Sequence, residues 1–154
     1  MNNAVIVGSG GHARVIISLL RDCGQVPVAV LDVKESEPGE LIMGVPVLSA
    51  KTSLIEFAVN KQIDFYIAMG DNDARLSWWK KLTSQGLSCP NLVSPSAKID
   101  IAVSLGSGNV ICANVFIGPA VIVGSNNIIN TGAIIEHEVV IGSHSHFAPG
   151  SVIA

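Results

Sequence analysis

Leu105-Gly-Ser-Gly-Asn-Val-Ile111-Cys-Ala-Asn-Val-Phe-Ile117-Gly-Pro-Ala-Val-Ile-Val123-Gly-Ser-Asn-Asn-Ile-Ile129 carries an aliphatic residue at every sixth place. The register runs on in both directions. Val93 and Ile99 precede it, and Ile135, Ile141, Phe147 and Ile153 follow. A helix of period 3.6 cannot hold such a set on one face, and an ordinary strand alternates with period two. A six-residue period marks a triangular parallel β-helix, each hexapeptide forming one short side. Glycine follows the repeat residue at Gly106, Gly118, Gly124 and Gly142, and Asn109, Asn114, Asn126, Asn127 and Asn130 fall near the corners. Both residue types adopt positive-φ turns cheaply, so we expect them to turn the chain there. Stacked coils place the aliphatic residues in an internal ladder, with backbone hydrogen bonds running from coil to coil. The register breaks off two residues into a hexapeptide, at Ile153-Ala154, so we expect an incomplete stack with an unpaired edge.

The residues before the repeat read differently. Ala4 to Val7 is a short β-branched run that ends in Gly8-Ser9-Gly10-Gly11-His12. A helical pattern follows, with Val15, Ile16, Leu19 and Leu20 at helical spacing, and then a second apolar run, Val26 to Leu31, ends at Asp32. Strand, glycine turn, helix, strand and acid is the order of a Rossmann-like βαβ unit. Gly8-x-Gly10-x-x-Ala13 fits the dinucleotide fingerprint, and Asp32 stands near the place of a ribose-binding acid. Such a turn lets a phosphate approach the backbone, and the helix start then offers N–H groups and a positive dipole end. Gly44 to Leu48 reads as an irregular stretch or an edge strand. Phe65 to Met69 reads as a third buried strand, followed by Gly70-Asp71-Asn72. Asp71 or Asn72 is placed to cap a helix running through Arg75, Leu76, Trp79 and Leu82 to about Gln85, with Gly86 ending it. Three or four strands before residue 90 make half a dinucleotide fold, so one mononucleotide is the expected ligand. The domain boundaries are then 1–90 for an α/β unit with a small parallel sheet and 91–154 for an all-β unit. Trp78 and Trp79 are expected to pack against the domain or a subunit. Arg75 is either an exposed helix residue or a phosphate ligand.

The composition excludes several classes. The 154 residues are 49% hydrophobic and 14% charged, yet the apolar runs are too short to span a membrane. A net charge of −3 with no basic run makes nucleic acid an unexpected partner. Cys23, Cys89 and Cys112 form no C-x-x-C motif and are odd in number, which suits a reducing cytosol. Met1-Asn2-Asn3 lacks the positive charge of a signal peptide, and the expected location is cytoplasmic.

Taken together, Gly8-Ser-Gly-Gly-His12, Ala68-Met-Gly-Asp-Asn72 with Arg75, Asn130-Thr-Gly-Ala-Ile-Ile-Glu-His-Glu138 and Ile141-Gly-Ser-His-Ser-His146 resemble a known family. They are similar to the hexapeptide-repeat sugar acetyltransferases of bacterial surface-glycan pathways. These include nucleotide-amino-sugar N-acetyltransferases and sialic acid O-acetyltransferases. The resemblance covers essentially the whole chain and is most specific in the last blocks. It implies a left-handed β-helix, a homotrimer, and acetyl-CoA lying between neighbouring β-helices. It implies that Gly8, Ser9, Gly10, Gly11 and His12 face the phosphates of a UDP- or TDP-linked amino sugar and that Asp32 faces the base. The segment from Gly70 to Arg75, with Gly70, Asn72 and Arg75 as its site residues, would help enclose that ligand. His137 would be the general base, supported by Glu138 and Asn130, and His146 would contact acetyl-CoA.

The residues themselves add to this. Acetyl transfer needs a deprotonated nucleophile, a thioester held in line and a donor for the oxyanion. A neutral imidazole suits the first task. His137 follows the repeat residue Ile135 by two places, so it should project outward, with Glu136 and Glu138 both in reach of orienting it. Adjacent residues of a strand face opposite ways, so Glu138 needs a corner to reach the ring. His146 stands where other coils carry Val110, Ile128 or Val140, and that break suggests a task. His144-x-His146 near His137 raises zinc, but no cysteine accompanies it and no metal is expected. His144 reads as a surface residue. Other readings stay open on residues alone: an O-acetyltransferase, an NAD(P)-dependent enzyme suggested by Gly8 to Ala13 with Asp32, or a non-catalytic nucleotide-sugar-binding protein.

Overall fold

The computed structural model describes residues 3–32, 39–51, 54, 57, 59 and 63–154. They form two compact units, Met1–Pro90 and Asn91–Ala154. The first is built on strands β1 (Asn3–Val7), β2 (Val26–Asp32), β3 (Leu41–Ile42), β4 (Val45–Ser49) and β5 (Ile63–Ile67), with helices α1 (Gly11–Asp22) and α2 (Asn72–Thr83). The sheet order is β3-β4-β2-β1-β5. β1 pairs in parallel with β2 and β5, and β2 with β4. The centre of β1, Ala4 to Val7, is wholly buried, as a parallel strand covered on both faces must be.

Three details depart from the sequence reading. Residues 45–49 are not an edge: β4 pairs with β2 inside the sheet, and the two-residue β3 turns back antiparallel to form the rim. The buried face of α1 is Ala13, Ile16, Ile17, Leu19 and Leu20: Ile16, Leu19 and Leu20 stand where the sequence put them, Ala13 and Ile17 join them, and Val15 is exposed. The third strand begins two residues earlier than expected, at Ile63, because its register against β1 runs from Asn3↔Ile63 to Val7↔Ile67. Trp78 and Trp79 are half-buried against the core of this unit, and the Lys81 ammonium lies 4.3 Å from the Trp78 ring centroid.

The second unit is a three-sided parallel β-helix with a period of 18 residues per coil. One face stacks β6 (Leu92–Val93), β9 (Val110–Ile111), β12 (Ile128–Ile129) and β15 (His146–Phe147). The second stacks β7 (Lys98–Ile99), β10 (Phe116–Ile117), β13 (Ile134–Ile135) and β16 (Val152–Ile153). The third stacks β8 (Ser104–Leu105), β11 (Ile122–Val123) and β14 (Val140–Ile141). Registers such as Val93↔Ile111 and Ile117↔Ile135 put the repeat residues in contact down the axis. Ile111, Ile117, Ile129 and Ile135 are fully buried. A second inward set, Val115, Val121 and Ala133, stands two residues before the repeat position and completes the core.

The corners correct the expectation about glycine. The left-handed conformation recurs every six residues at Gly108, Asn114, Ala120, Asn126, Gly132, Glu138, His144 and Gly150, three places after each repeat residue. The glycines that directly follow the repeat residue do not have positive φ. Gly106 and Gly124 are there for space: a Cβ would lie 2.5 Å from Ser125 Oγ and Ser143 Oγ respectively, and 2.7 Å from the backbone of the next coil. Asn109 and Asn127 are not corner residues in the left-handed region either. They are fully buried and form a ladder in which Asn127 N–H donates to Asn109 Oδ1 at 2.9 Å, Asn127 Nδ2 donates to Gly142 O at 3.0 Å, and Ser145 N–H donates to Asn127 Oδ1 at 2.8 Å. Each satisfied amide replaces a backbone partner that the bend removes.

Candidate functional site

Two places gather the candidate residues. The first lies at the carboxyl ends of β1, β2 and β5, where open α/β sheets bind ligands. Gly8 leaves β1 with φ 110°, and its N–H donates to Leu31 O at 2.9 Å. A Cβ there would stand 2.9 Å from Ala68 O, so only glycine fits. Gly10 is the N-cap of α1, with no side-chain cap and no acidic residue in the first turn. A Cβ on Gly10 or Gly11 would meet nothing, so the space before the helix start is open. The result is a pocket of about 360 Å³ lined by Gly8, Ser9, Gly10, Gly11, His12, Asp32, Ala68, Met69, Gly70, Asp71 and Ala74. No Lys or Arg is among these lining residues. An anion here would meet chiefly the helix dipole and backbone N–H groups.

Gly70 is in the lining, but Asn72 and Arg75 stand behind it. Arg75 is not an exposed helix residue: only 1% of its surface is accessible. Its Nη1 donates to Met69 O at 3.0 Å and Gly70 O at 3.2 Å, and its Nη2 donates to Asn72 Oδ1 at 2.6 Å. Burial lowers its pKa, and the carboxylate of Asp71 opposes that shift. Asp71 in turn caps α2, its Oδ1 accepting from Ala74 N–H at 2.8 Å. Arg75 and Asn72 therefore fix the pocket wall formed by Met69 and Gly70. Asp71 and Ala74 belong to the segment expected to enclose the ligand; Ala68 and Met69 are lining residues to which sequence reasoning gave no role. Apolar residues carry no chemical signal until their loop is seen against the glycine turn.

The second place is a corner of the β-helix. His137 and Glu138 follow β13, and both side chains are exposed, 67% and 78%. Glu138 has φ +60°, the turn that the sequence reading required for it to reach the ring. His137 Nδ1 and Glu138 Oε2 are 3.1 Å apart. A carboxylate accepts and does not donate, so in the neutral ring this contact puts the proton on Nδ1 and leaves the lone pair on Nε2. Glu138, not Glu136, is the acid in contact with the ring.

Asn130 does not pair with His137 within the chain. Its Nδ2 lies 3.2 Å from His146 Nε2, and its Oδ1 accepts from Thr131 N–H at 2.8 Å. The reason is the 18-residue period: residue 146 stacks beside 128, next to 130, whereas 137 belongs to the following corner. His144 occupies a left-handed corner with its Nδ1 2.8 Å from Asn126 Nδ2. Among the described residues no group of His, Cys, Asp and Glu is placed to hold a metal ion. Burial pushes the Cys89 thiol up to about 12 and the Cys112 thiol up to about 11, so neither forms a thiolate near neutrality. No described helix is long and apolar enough to cross a membrane.

Residues 3–82 match the PglD N-terminal domain family. Among solved structures, the chain is similar to a histidine-to-alanine mutant of GDP-perosamine N-acetyl transferase from Caulobacter crescentus, in complex with CoA and GDP-perosamine. Identity is 34% over 99% of this chain and 71% of that one, with a TM-score of 0.90. It is also similar to the acetyltransferase domain of PglB from Neisseria gonorrhoeae FA1090 in complex with acetyl coenzyme A, at 23% identity, 99% and 73% coverage and a TM-score of 0.87. WeeI from Acinetobacter baumannii AYE matches at 23% identity, 98% and 71% coverage and a TM-score of 0.85. These last two likenesses concern the fold. No curated protein sequence matches the chain.

Proposed function

We propose, from the premise that the chain belongs to the hexapeptide-repeat sugar N-acetyltransferases whose first domain is a PglD N-terminal domain, that it N-acetylates a nucleotide-linked amino sugar. The family uses acetyl-CoA as donor and builds its second domain as a left-handed β-helix. The observation that carries the reading is the His137–Glu138 contact, which leaves Nε2 free on an exposed corner.

The glycine turn of the first unit supports binding of the diphosphate, with Ser9, Gly10, Gly11 and His12 at the start of α1 and Asp32 toward the nucleoside. Arg75 and Asn72 act by holding the wall, not by touching the ligand. The neutral sugar amine attacks the thioester carbonyl, and His137 Nε2 takes its proton as the C–N bond forms. Glu138 stabilises the imidazolium through Nδ1–H. The C–S bond breaks, and the departing thiolate recovers the proton, giving CoA thiol and the acetamido sugar. No acyl-enzyme is needed, in keeping with the raised pKa values of Cys89 and Cys112. Asn130 and His146, paired with each other, are proposed to contact acetyl-CoA. The assembly is proposed as a cytoplasmic homotrimer with the donor between adjacent β-helices, serving surface-glycan synthesis.

The Caulobacter neighbour binds a GDP-linked sugar, so the acceptor panel extends beyond UDP- and TDP-linked amino sugars to GDP-linked ones. Incubation with acetyl-CoA and each acceptor, with thiol release as the readout, tests the proposal. CoA release with one amino sugar and none with its acetylated or hydroxyl counterpart is the expected result. Release only with hydroxyl acceptors, or with none, contradicts it.

A further inference from the structure

The corner one coil before His137 has the sequence Gly118-Pro119-Ala120, and its contacts run to the backbone of the 135–138 segment. Gly118 N–H donates to Ile135 O at 2.8 Å, and Glu138 N–H donates to Pro119 O at 3.0 Å. From the other side, Glu136 N–H donates to Ile153 O at 2.8 Å. The segment is thus held on both sides of His137. Gly118 does not have positive φ, so a turn does not explain it. Space does: a Cβ on Gly118 would stand 3.0 Å from His137 N, 3.2 Å from Glu136 C and 3.3 Å from Ile135 O. All three are backbone atoms, which cannot swing aside as a side chain can. Ala120 and Glu138 share the same left-handed conformation, φ 59° and 60°, so the later corner repeats the earlier one.

We propose that Gly118 and Pro119 are positioning residues for the acetyl transfer, setting the backbone of His137 and Glu138 so that the imidazole and carboxylate meet. The inference rests on His137 being the base. Gly118 lets the His137 amide settle close to the coil below, and the Pro119 carbonyl anchors the Glu138 amide in the conformation that turns its carboxylate toward Nδ1. A methyl group on Gly118 displaces the His137 backbone by a few tenths of an ångström. An error of about 1 Å in the placement of a catalytic group costs about a hundredfold in rate, so this smaller shift should lower kcat about three- to tenfold. It leaves the residues that bind either substrate in place.

The test uses the whole chain, acetyl-CoA and whichever of the UDP-, TDP- or GDP-linked amino sugars turns over fastest. Gly118→Ala is compared with Gly106→Ala, whose Cβ is crowded more severely, at 2.5 to 2.7 Å, but at a corner that does not carry His137. Pro119→Ala, which keeps the carbonyl and a restricted backbone, is compared with Pro119→Gly, which loosens it. The expected pattern is lower kcat with KM for both substrates within twofold in Gly118→Ala and Pro119→Gly. Pro119→Ala should stay near normal, and Gly106→Ala should lose thermal stability without losing kcat. If Gly118→Ala does not fold, the Pro119 pair decides alone. Unchanged kcat in folded Gly118→Ala, equal kcat in the two Pro119 variants, or an equal kcat loss in Gly106→Ala overturns the inference. Activity persisting in His137→Ala would instead overturn the reading on which it rests.

Discussion

The two units bury apolar surface in different ways. The α/β unit makes each element once, and each buried residue has its own neighbours; β1 is enclosed by strands on both sides and α1 packs on the sheet through five buried residues. The β-helix makes one solution repeatedly, with aliphatic side chains stacked at 18-residue intervals and a left-handed residue every sixth place. Chemistry therefore announces itself differently in each unit. In the β-helix it shows as a departure from the repeat: His146 in a column otherwise filled by the aliphatic Ile128 and Val110, and Glu138 in a conformation otherwise held by Gly, Asn, Ala and His. In the α/β unit no repeat exists to depart from, and the candidate site is read from strand ends and a helix start.

The largest effect should fall on the singular unit. Arg75→Ala leaves Met69 O, Gly70 O and Asn72 Oδ1 without their shared donor. A buried acceptor left without its donor costs about 1–3 kcal/mol, so taking the donor from several at once should cost about 3–5 kcal/mol. Thermal or urea unfolding should show that loss, and calorimetry should show weaker nucleotide binding, although Arg75 does not line the pocket. A loss below about 1 kcal/mol, with unchanged binding, would break the comparison on its α/β side. Next comes the repeat. Ile129→Ala, at a wholly buried ladder position, should cost about 2–5 kcal/mol. Val140→Ala, outward on a neighbouring face and exposed, should stay within about 0.5 kcal/mol. Equal costs would mean that the inward ladder is not what holds the coils. The smallest effect separates chemistry from architecture at one corner. Glu138→Gln keeps the shape and left-handed backbone but removes the charge. Unfolding should be unchanged, and kcat should fall about tenfold, a fraction of the hundredfold or more that a general base supplies.

Legibility followed the same division. The period of six showed which residues face inward, and the coordinates place Ile111, Ile117, Ile129 and Ile135 there. The reason for the glycines was not legible, because a glycine needed for space and one needed for positive φ look alike in a sequence. Gly106 is crowded by the next coil without positive φ, whereas Gly132 has φ 69° and open space, and the letter is the same. The Asn109–Asn127 ladder was hidden for the same reason, since asparagine also serves corners. In the α/β unit the glycine turn and Asp32 were visible as a pattern. Arg75 was not: its position in α2 resembles any solvated helix arginine, and only the fold of residues 69–72 around it brings the carbonyl oxygens to its guanidinium. The pairing of Asn130 with His146 instead of His137 follows from counting 18 rather than 6, a step that needs the coil closed.

His137 Nε2 is proposed as the proton acceptor, and the pocket of the first unit as the nucleotide site. Acetyl transfer and nucleotide binding measured on one preparation of His137→Ala test both halves. The expected result is a fall in kcat of about 10²–10⁴-fold, with an unchanged nucleotide-sugar affinity by calorimetry. Acetylation near the rate of the unaltered protein, or loss of nucleotide binding along with activity, would contradict it.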